Sequence, residues 1–194
     1  MHTVNEIVET LENNFQVILD EYRTNINSSN YLDYEIWFKS TGKLPPYFTL
    51  YVLWLTFSSS VGKYEWENVD QNKFPKTFNI LKPFNLSEFA FAKLGGNNRN
   101  KLHVDSTPDN PMIRIHLPLI VPKGDIFLEV NGERLKWREG KCLVLDTSLP
   151  HTFWNYTGKE RINLLLSLLL VIGVTLKKVK KQFFGPSKYS CNRL

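Results

Sequence analysis

The stretch MIRIHLPLIVPKGDIFLEVNGERLKW, residues 112–137, decides the fold. Its first ten residues are apolar except for Arg114 and His116, two positions apart and therefore on one face of a strand. Pro122-Lys123-Gly124-Asp125 turns the chain, and Ile126 to Val130 forms a second strand. Asn131-Gly132 is a tight hairpin signal, because both residues tolerate the positive φ that such turns need. Leu135-Lys136-Trp137 returns.

The same grammar continues on both sides. Phe89 to Leu94, Leu102 to Asp105, Cys142 to Asp146, His151 to Asn155 and Arg161 to Leu169 read as further strands, with turns at Gly95–Asn98 and Glu139-Gly140. Seven or eight short strands of this kind predict a barrel or jelly roll. Upstream, Ile7, Val8, Leu11, Phe15, Ile18 and Tyr22 recur at three- and four-residue spacing, which predicts one helix over 4–22. Residues 25–30 break it, and 31–38 read as a short helix or strand. Residues 47–57 read as one or two buried strands, 58–72 as a polar loop, and 73–81 as a second short helix. The expected class is mainly β with flanking helices (α+β). One domain spans 1–176, helical over 1–88 with a β core over 89–170, and 177–194 is a basic tail.

Bulk properties narrow the function classes. With 194 residues, 42% apolar and 13% aromatic, the chain can bury a real core. The net charge is +5, but six basic residues, Lys177, Lys178, Lys180, Lys181, Lys188 and Arg193, crowd the last 18 with no acid among them. A local tail argues less for nucleic acid than a basic face would, so no nucleic-acid partner is expected. The tail is either a solvated helix or a peripheral membrane contact. Only Cys142 and Cys191 are present, which fits a reducing compartment without disulfides. The N-terminus lacks a basic start followed by an apolar run, and Ile162–Leu176 is too short to span a bilayer. A cytoplasmic location and no transmembrane segment are expected.

The chemistry lies in His103-Val104-Asp105 and in His151, 46 residues after Asp105. Two histidines and one carboxylate cap one face of an octahedral metal and leave three positions open, the ligand set of non-haem Fe(II) oxygenases. Arg161 follows ten residues after His151, on a strand so apolar that a buried guanidinium needs an anion. Blander readings stand beside these. H-x-D alone is a frequent chance match. Asp105 could serve as a turn acid before Ser106-Thr107-Pro108, Arg161 as an edge arginine with its head in water, and Arg114 and His116 as a structural pair. Asp146 reads as a turn acid or as an acid that supports the ligands from behind rather than as a ligand, and Trp154 as core or pocket wall.

The series His103-x-Asp105, Arg114-x-His116, Trp137, Gly140-Lys141, Asp146-x-Ser148-x-x-His151, Asn155 and Arg161 resembles the aspartyl/asparaginyl β-hydroxylase family over about residues 45–168. The resemblance implies a double-stranded β-helix (cupin-like jelly roll) and a dioxygenase using Fe(2+), 2-oxoglutarate and O2. It implies that His103, Asp105 and His151 bind iron and are the catalytic centre. Arg161 would pair with the distal carboxylate of 2-oxoglutarate. His116 would also contact the cosubstrate, and Arg114 would point into the same pocket, toward a carboxylate of cosubstrate or substrate. Three positions depart from the family. Ala92 stands where a serine is frequent, Met112 where the aspartyl branch has another arginine, and Ser167 where an acid is frequent. The expected substrate is a small carboxylate-bearing molecule, an amino acid or a peptidyl aspartyl/asparaginyl residue. The alternatives are a lipid-directed hydroxylase of the same family and a cupin-like metal-binding protein without oxygenase activity.

Overall fold

The computed structural model describes residues 2–26, 32–33, 48–55, 72–107 and 112–169. The expected loop 58–72 (save its last residue), most of 31–38 and the basic tail lie outside them. In chain order the elements are α1 (Val4–Asn13), α2 (Phe15–Asn25), β1 (Leu32–Asp33), β2 (Phe48–Leu55), α3 (Pro75–Leu81), β3 (Glu88–Leu94) and β4 (Asn98–Arg99). They continue with β5 (Met112–Ile120), β6 (Ile126–Val130), β7 (Glu133–Lys136), β8 (Leu143–Asp146), β9 (His151–Asn155) and β10 (Arg161–Leu169). Among the described residues the strands form two antiparallel sheets, β1-β2-β3-β10-β5-β8 and β4-β9-β6-β7. The result is the expected mainly-β jelly roll with flanking helices.

The alternation of β5 and β10 builds the layers. Ile113, Ile115, Leu117, Ile162, Leu164 and Leu166 point to one face and pack against Ile7, Leu11, Ile18 and Tyr22 of the helices. Arg114, His116, Asn163, Leu165 and Ser167 point to the other face, and Leu165 pairs with His116 and Ser167 with Arg114. That inner face meets the second sheet, where Ile126, Leu128 and Val130 cluster with Trp137 and with Leu145 of β8. Both faces of β10 are therefore covered, which is why its sequence is a near-continuous apolar run. Each fully buried leucine contributes roughly 2 kcal/mol of hydrophobic stabilisation.

Several expectations are corrected. The single helix 4–22 is two helices, because Asn14 leaves helical geometry (φ −103°, ψ 12°) and its side-chain Nδ2 donates back to the Thr10 carbonyl. Thr3 and Glu6 close a capping box at the start of α1. Helix α3 has Pro75 in its first turn, and its free amides at Lys76 and Thr77 donate to the two carboxylate oxygens of Glu21 at 2.8 and 2.7 Å. Trp154 is neither core nor pocket wall. It stacks on Phe127, and Arg99 lies over its ring, on the face of the second sheet opposite the cluster of Leu128 and Val130. The Asn131-Gly132 turn is as expected, with φ of 49° and 81°. Among the described residues no helix is long and apolar enough to cross a membrane.

Candidate metal centre and anion pocket

His103 and His151 exchange both backbone hydrogen bonds, N to O at 3.1 and 2.9 Å, and this bridge holds their rings 4.3 Å apart between centroids. The H-x-D segment is not a strand, contrary to expectation: His103 makes one isolated bridge and Asp105 sits in a bend. The bend is fixed by the amides of Asp105 and Ser106, which both donate to the Thr147 carbonyl. The β8–β9 turn is closed by Asp146, whose Oδ1 accepts from the amide and hydroxyl of Ser148. Asp146 is thus a turn acid, and the turn it closes delivers His151.

The three side chains converge. Asp105 Oδ1 lies 3.5 Å from His103 Nε2, and Oδ2 lies 3.5 Å from His151 Nε2. One ligand atom from each residue falls within 4.8 Å of the others. An octahedral face with bonds of about 2.1 Å has edges of about 3 Å, so a small inward movement satisfies it. The ring nitrogens decide the fit. His103 Nδ1 is 2.7 Å from the Lys101 carbonyl and His151 Nδ1 is 2.9 Å from the Leu149 carbonyl. A carbonyl only accepts, so both Nδ1 atoms carry the proton and both Nε2 lone pairs face the cluster. His151 is deep (side chain 5% exposed), whereas His103 and Asp105 reach solvent at 31% and 25%. The centre is closed on one side and open on the other.

Charge in the cluster favours the ligating forms. Burial raises the Asp105 carboxyl, but the Arg114 guanidinium and the neighbouring histidines outweigh it and hold the acid well below its usual range. Burial lowers His103, with Asp105 opposing, so its ring is neutral at physiological pH.

Beside this cluster lies a second one. Arg161 is 1% exposed, and its Nε and Nη1 have no hydrogen-bond partner among the described residues. Its guanidinium carbon lies 4.4 Å over the Trp137 ring and 5.6 Å from that of Phe153. Burial pushes it down to about 9, still charged at neutral pH. The Trp137 indole N–H and Asn163 Oδ1 are also buried without a hydrogen-bond partner among the described residues. His116 meets Trp137 edge-on at 5.5 Å and receives Asn163 Nδ2 on its Nδ1 at 3.3 Å. Burial, then the charges of Arg161 and Arg114, push His116 well below its ordinary value, so it is neutral. Unpaired buried charge costs several kcal/mol. Among the described residues three N–H groups thus lie unpartnered beside Trp137 and Phe153, a setting that suits an anion.

The structure brings Arg161 and His116 together around Trp137. Arg114 is held on three sides: its Nη1 donates to Asp105 Oδ2, its Nε to Ser167 Oγ at 3.3 Å, and its Nη2 sits 3.7 Å from Glu88 Oε2. Asn163, Trp137 and Glu88 carry no role in the sequence reading. Asn163 has a signal, an amide inside a leucine run two residues after Arg161.

A family model described as aspartyl/asparaginyl beta-hydroxylase matches residues 12–169. The chain belongs to that family. Among its relatives, aspartate beta-hydroxylase domain-containing protein 2 of Xenopus tropicalis is 32% identical over 163 residues, covering 79% of this chain and 40% of the relative. Ornithine lipid ester-linked acyl 2-hydroxylase of Rhizobium tropici is 36% identical over 64 residues, 32% of this chain and 23% of the relative. The chain therefore spans less than half the length of either relative. A Cupin 2 conserved barrel domain protein from Salinispora arenicola is similar over 41% of this chain and 60% of its own, with 15% identity and a TM-score of 0.32. Membership of this hydroxylase family makes the His103–Asp105–His151 cluster the candidate active site.

Proposed function

We propose that the chain is an iron(II)- and 2-oxoglutarate-dependent dioxygenase that hydroxylates an unactivated C–H of a small carboxylate-bearing substrate, an amino acid or a peptidyl aspartyl/asparaginyl residue. The overall reaction balances as substrate, 2-oxoglutarate and O2 giving hydroxylated substrate, succinate and CO2. The observation that carries the reading is the pairing of two sites: three convergent side chains with both Nε2 lone pairs aimed inward, and a buried guanidinium whose Nε and Nη1 have no hydrogen-bond partner among the described residues.

His103, Asp105 and His151 would hold the iron, which when bound supplies the activation of oxygen. Three protein ligands on one face leave three positions for cosubstrate and O2. Arg161 pairs with the distal carboxylate of 2-oxoglutarate, and Trp137 and Phe153 exclude water around that pair. His116, neutral and accepting from Asn163 at Nδ1, keeps its proton at Nε2 and offers that N–H to the cosubstrate.

A lipid-directed reaction is the second reading. Leu102 and Val104, which flank His103, are 64% and 54% exposed, and an apolar rim suits an acyl chain. The Rhizobium tropici relative is named as a lipid hydroxylase. The test is succinate release from 2-oxoglutarate by the Fe(II)-loaded chain, screened with free amino acids, acidic peptides and lipid fractions. Substrate-stimulated succinate from an amino acid or peptide supports the first reading, and stimulation confined to lipids the second. Metal binding without succinate under any condition leaves a cupin-like metal protein.

A further inference from the structure

We propose that Glu88, an acid buried on β3, is a positioning residue of the metal centre: acting through Ser167 and Arg114, it fixes how Asp105 presents its carboxylate. The inference rests on the reading of His103, Asp105 and His151 as metal ligands.

Sheet register builds the connection. Glu88 on β3 pairs with Ser167 on β10, and Ser167 pairs with Arg114 on β5. The three side chains are consecutive rungs across three neighbouring strands. Ser167 and Arg114 share the inner face, and polar contacts tie all three together. Ser167 Oγ donates to Glu88 Oε2 at 2.9 Å. Arg114 Nε donates to Ser167 Oγ at 3.3 Å, and Arg114 Nη2 lies 3.7 Å from the same Glu88 oxygen. The row ends on Arg114 Nη1, which donates to Asp105 Oδ2. Glu88 has 9% of its side chain exposed and Arg114 19%, so both contacts are shielded from solvent.

The charge count gives Glu88 its task. Arg114 carries one positive charge between two carboxylates. With Asp105 alone it would form a closed pair and compete with a metal for the carboxylate. Glu88 takes up part of that charge and pins the guanidinium by its other edge. Arg114 then holds Oδ2 of Asp105 and leaves Oδ1 beside His103 Nε2. Groups that orient a ligand from behind in this way are worth about 10–100-fold in metal affinity.

The test titrates Co(II), whose visible bands report coordination, into the metal-stripped full chain. Glu88→Gln keeps the shape and removes the charge. Ser167→Ala keeps every charge and removes the bridging hydroxyl. The expected result is about 10–100-fold weaker Co(II) binding by Glu88→Gln with altered band intensities, a smaller change of the same sign in Ser167→Ala, and partial recovery in Glu88→Asp. If Glu88→Gln does not fold, Ser167→Ala carries the comparison. Wild-type affinity and spectrum in a folded Ser167→Ala and Glu88→Gln overturn the role of Glu88 alone. A wild-type chain that binds no Co(II) overturns the metal centre, and the proposal with it.

Discussion

Arg161→Met separates the two consequences of burying an unpaired guanidinium. In the metal-loaded, cosubstrate-free protein the arginine is a liability, since among the described residues its Nε and Nη1 have no partner and it is 1% exposed. An apolar side chain of similar length relieves it, and such replacements stabilise by about 1–4 kcal/mol. For a chain of this size each kcal/mol moves the melting temperature by about 2–4 °C. The cosubstrate response moves the other way. At one hundred times its Kd, 2-oxoglutarate stabilises the wild type by about 2.7 kcal/mol, or roughly 5–11 °C. Loss of a charged hydrogen-bond partner costs about 1.5–3 kcal/mol, ten- to a hundredfold in affinity. At the upper figure the same concentration only equals the new Kd and gives about 0.4 kcal/mol, a shift of 1–2 °C. Differential scanning fluorimetry with Mn(II) in place of iron, with and without 2-oxoglutarate, reads both. The expected pattern is a higher melting temperature for the variant alone and a nearly flat cosubstrate response. Arg161→Lys should recover only part of the response, because a point charge cannot form the fork. A full wild-type shift in Arg161→Met would refute the pairing.

Two further outcomes follow from the same structure. His116 is held neutral in the fold, well below the ordinary histidine value, while the unfolded chain protonates near pH 6.5. The stability it confers is therefore present above pH 6.5 and lost on acidification below it. Melting temperatures of the metal-free protein between pH 8 and 5 should fall, and less steeply in His116→Gln; equal slopes would remove His116 as the cause. Asn155 is a buried hub: its Nδ2 donates to the carbonyls of Gly95 and Lys159, and its Oδ1 accepts from the amide and hydroxyl of Thr157. Asn155→Leu should cost about 3 kcal/mol or more in urea denaturation, through several buried groups left unpaired, and a loss below 1 kcal/mol would contradict that role.

What the sequence made legible was local. Alternation in Met112–Ile120 separates Arg114 and His116 from the residues facing the helices, and Asn131-Gly132 turns as its residue types require. The candidate cluster was legible too, since the fold brings together the two histidines and the aspartate that the sequence singles out, within 4.8 Å of one another. What escaped is carried by backbone carbonyls or by register. The break at Asn14 depends on one side chain bonding back to Thr10, and helical spacing continues through it. The carbonyls of Lys101 and Leu149 that set the histidine tautomers have no residue signature. Glu88 meets Arg114 only because β10 lies between their strands, 79 residues downstream of Glu88 at Ser167. Trp154 reads as buried because tryptophans usually are, but its strand turns it to the outer face, where Phe127 and Arg99 cover it.

In the proposed site His103, Asp105 and His151 hold iron and Arg161 completes a 2-oxoglutarate site beside it. Anaerobic addition of 2-oxoglutarate to the Fe(II)-loaded chain tests it most directly, because a cosubstrate chelating iron produces a visible charge-transfer band. The expected result is a saturable band in the wild type, none in His103→Ala, Asp105→Ala or His151→Ala, and a saturation point shifted at least tenfold upward in Arg161→Ala. No band in a folded, iron-loaded wild type, or an undiminished band after loss of any one of the three ligands, would contradict it.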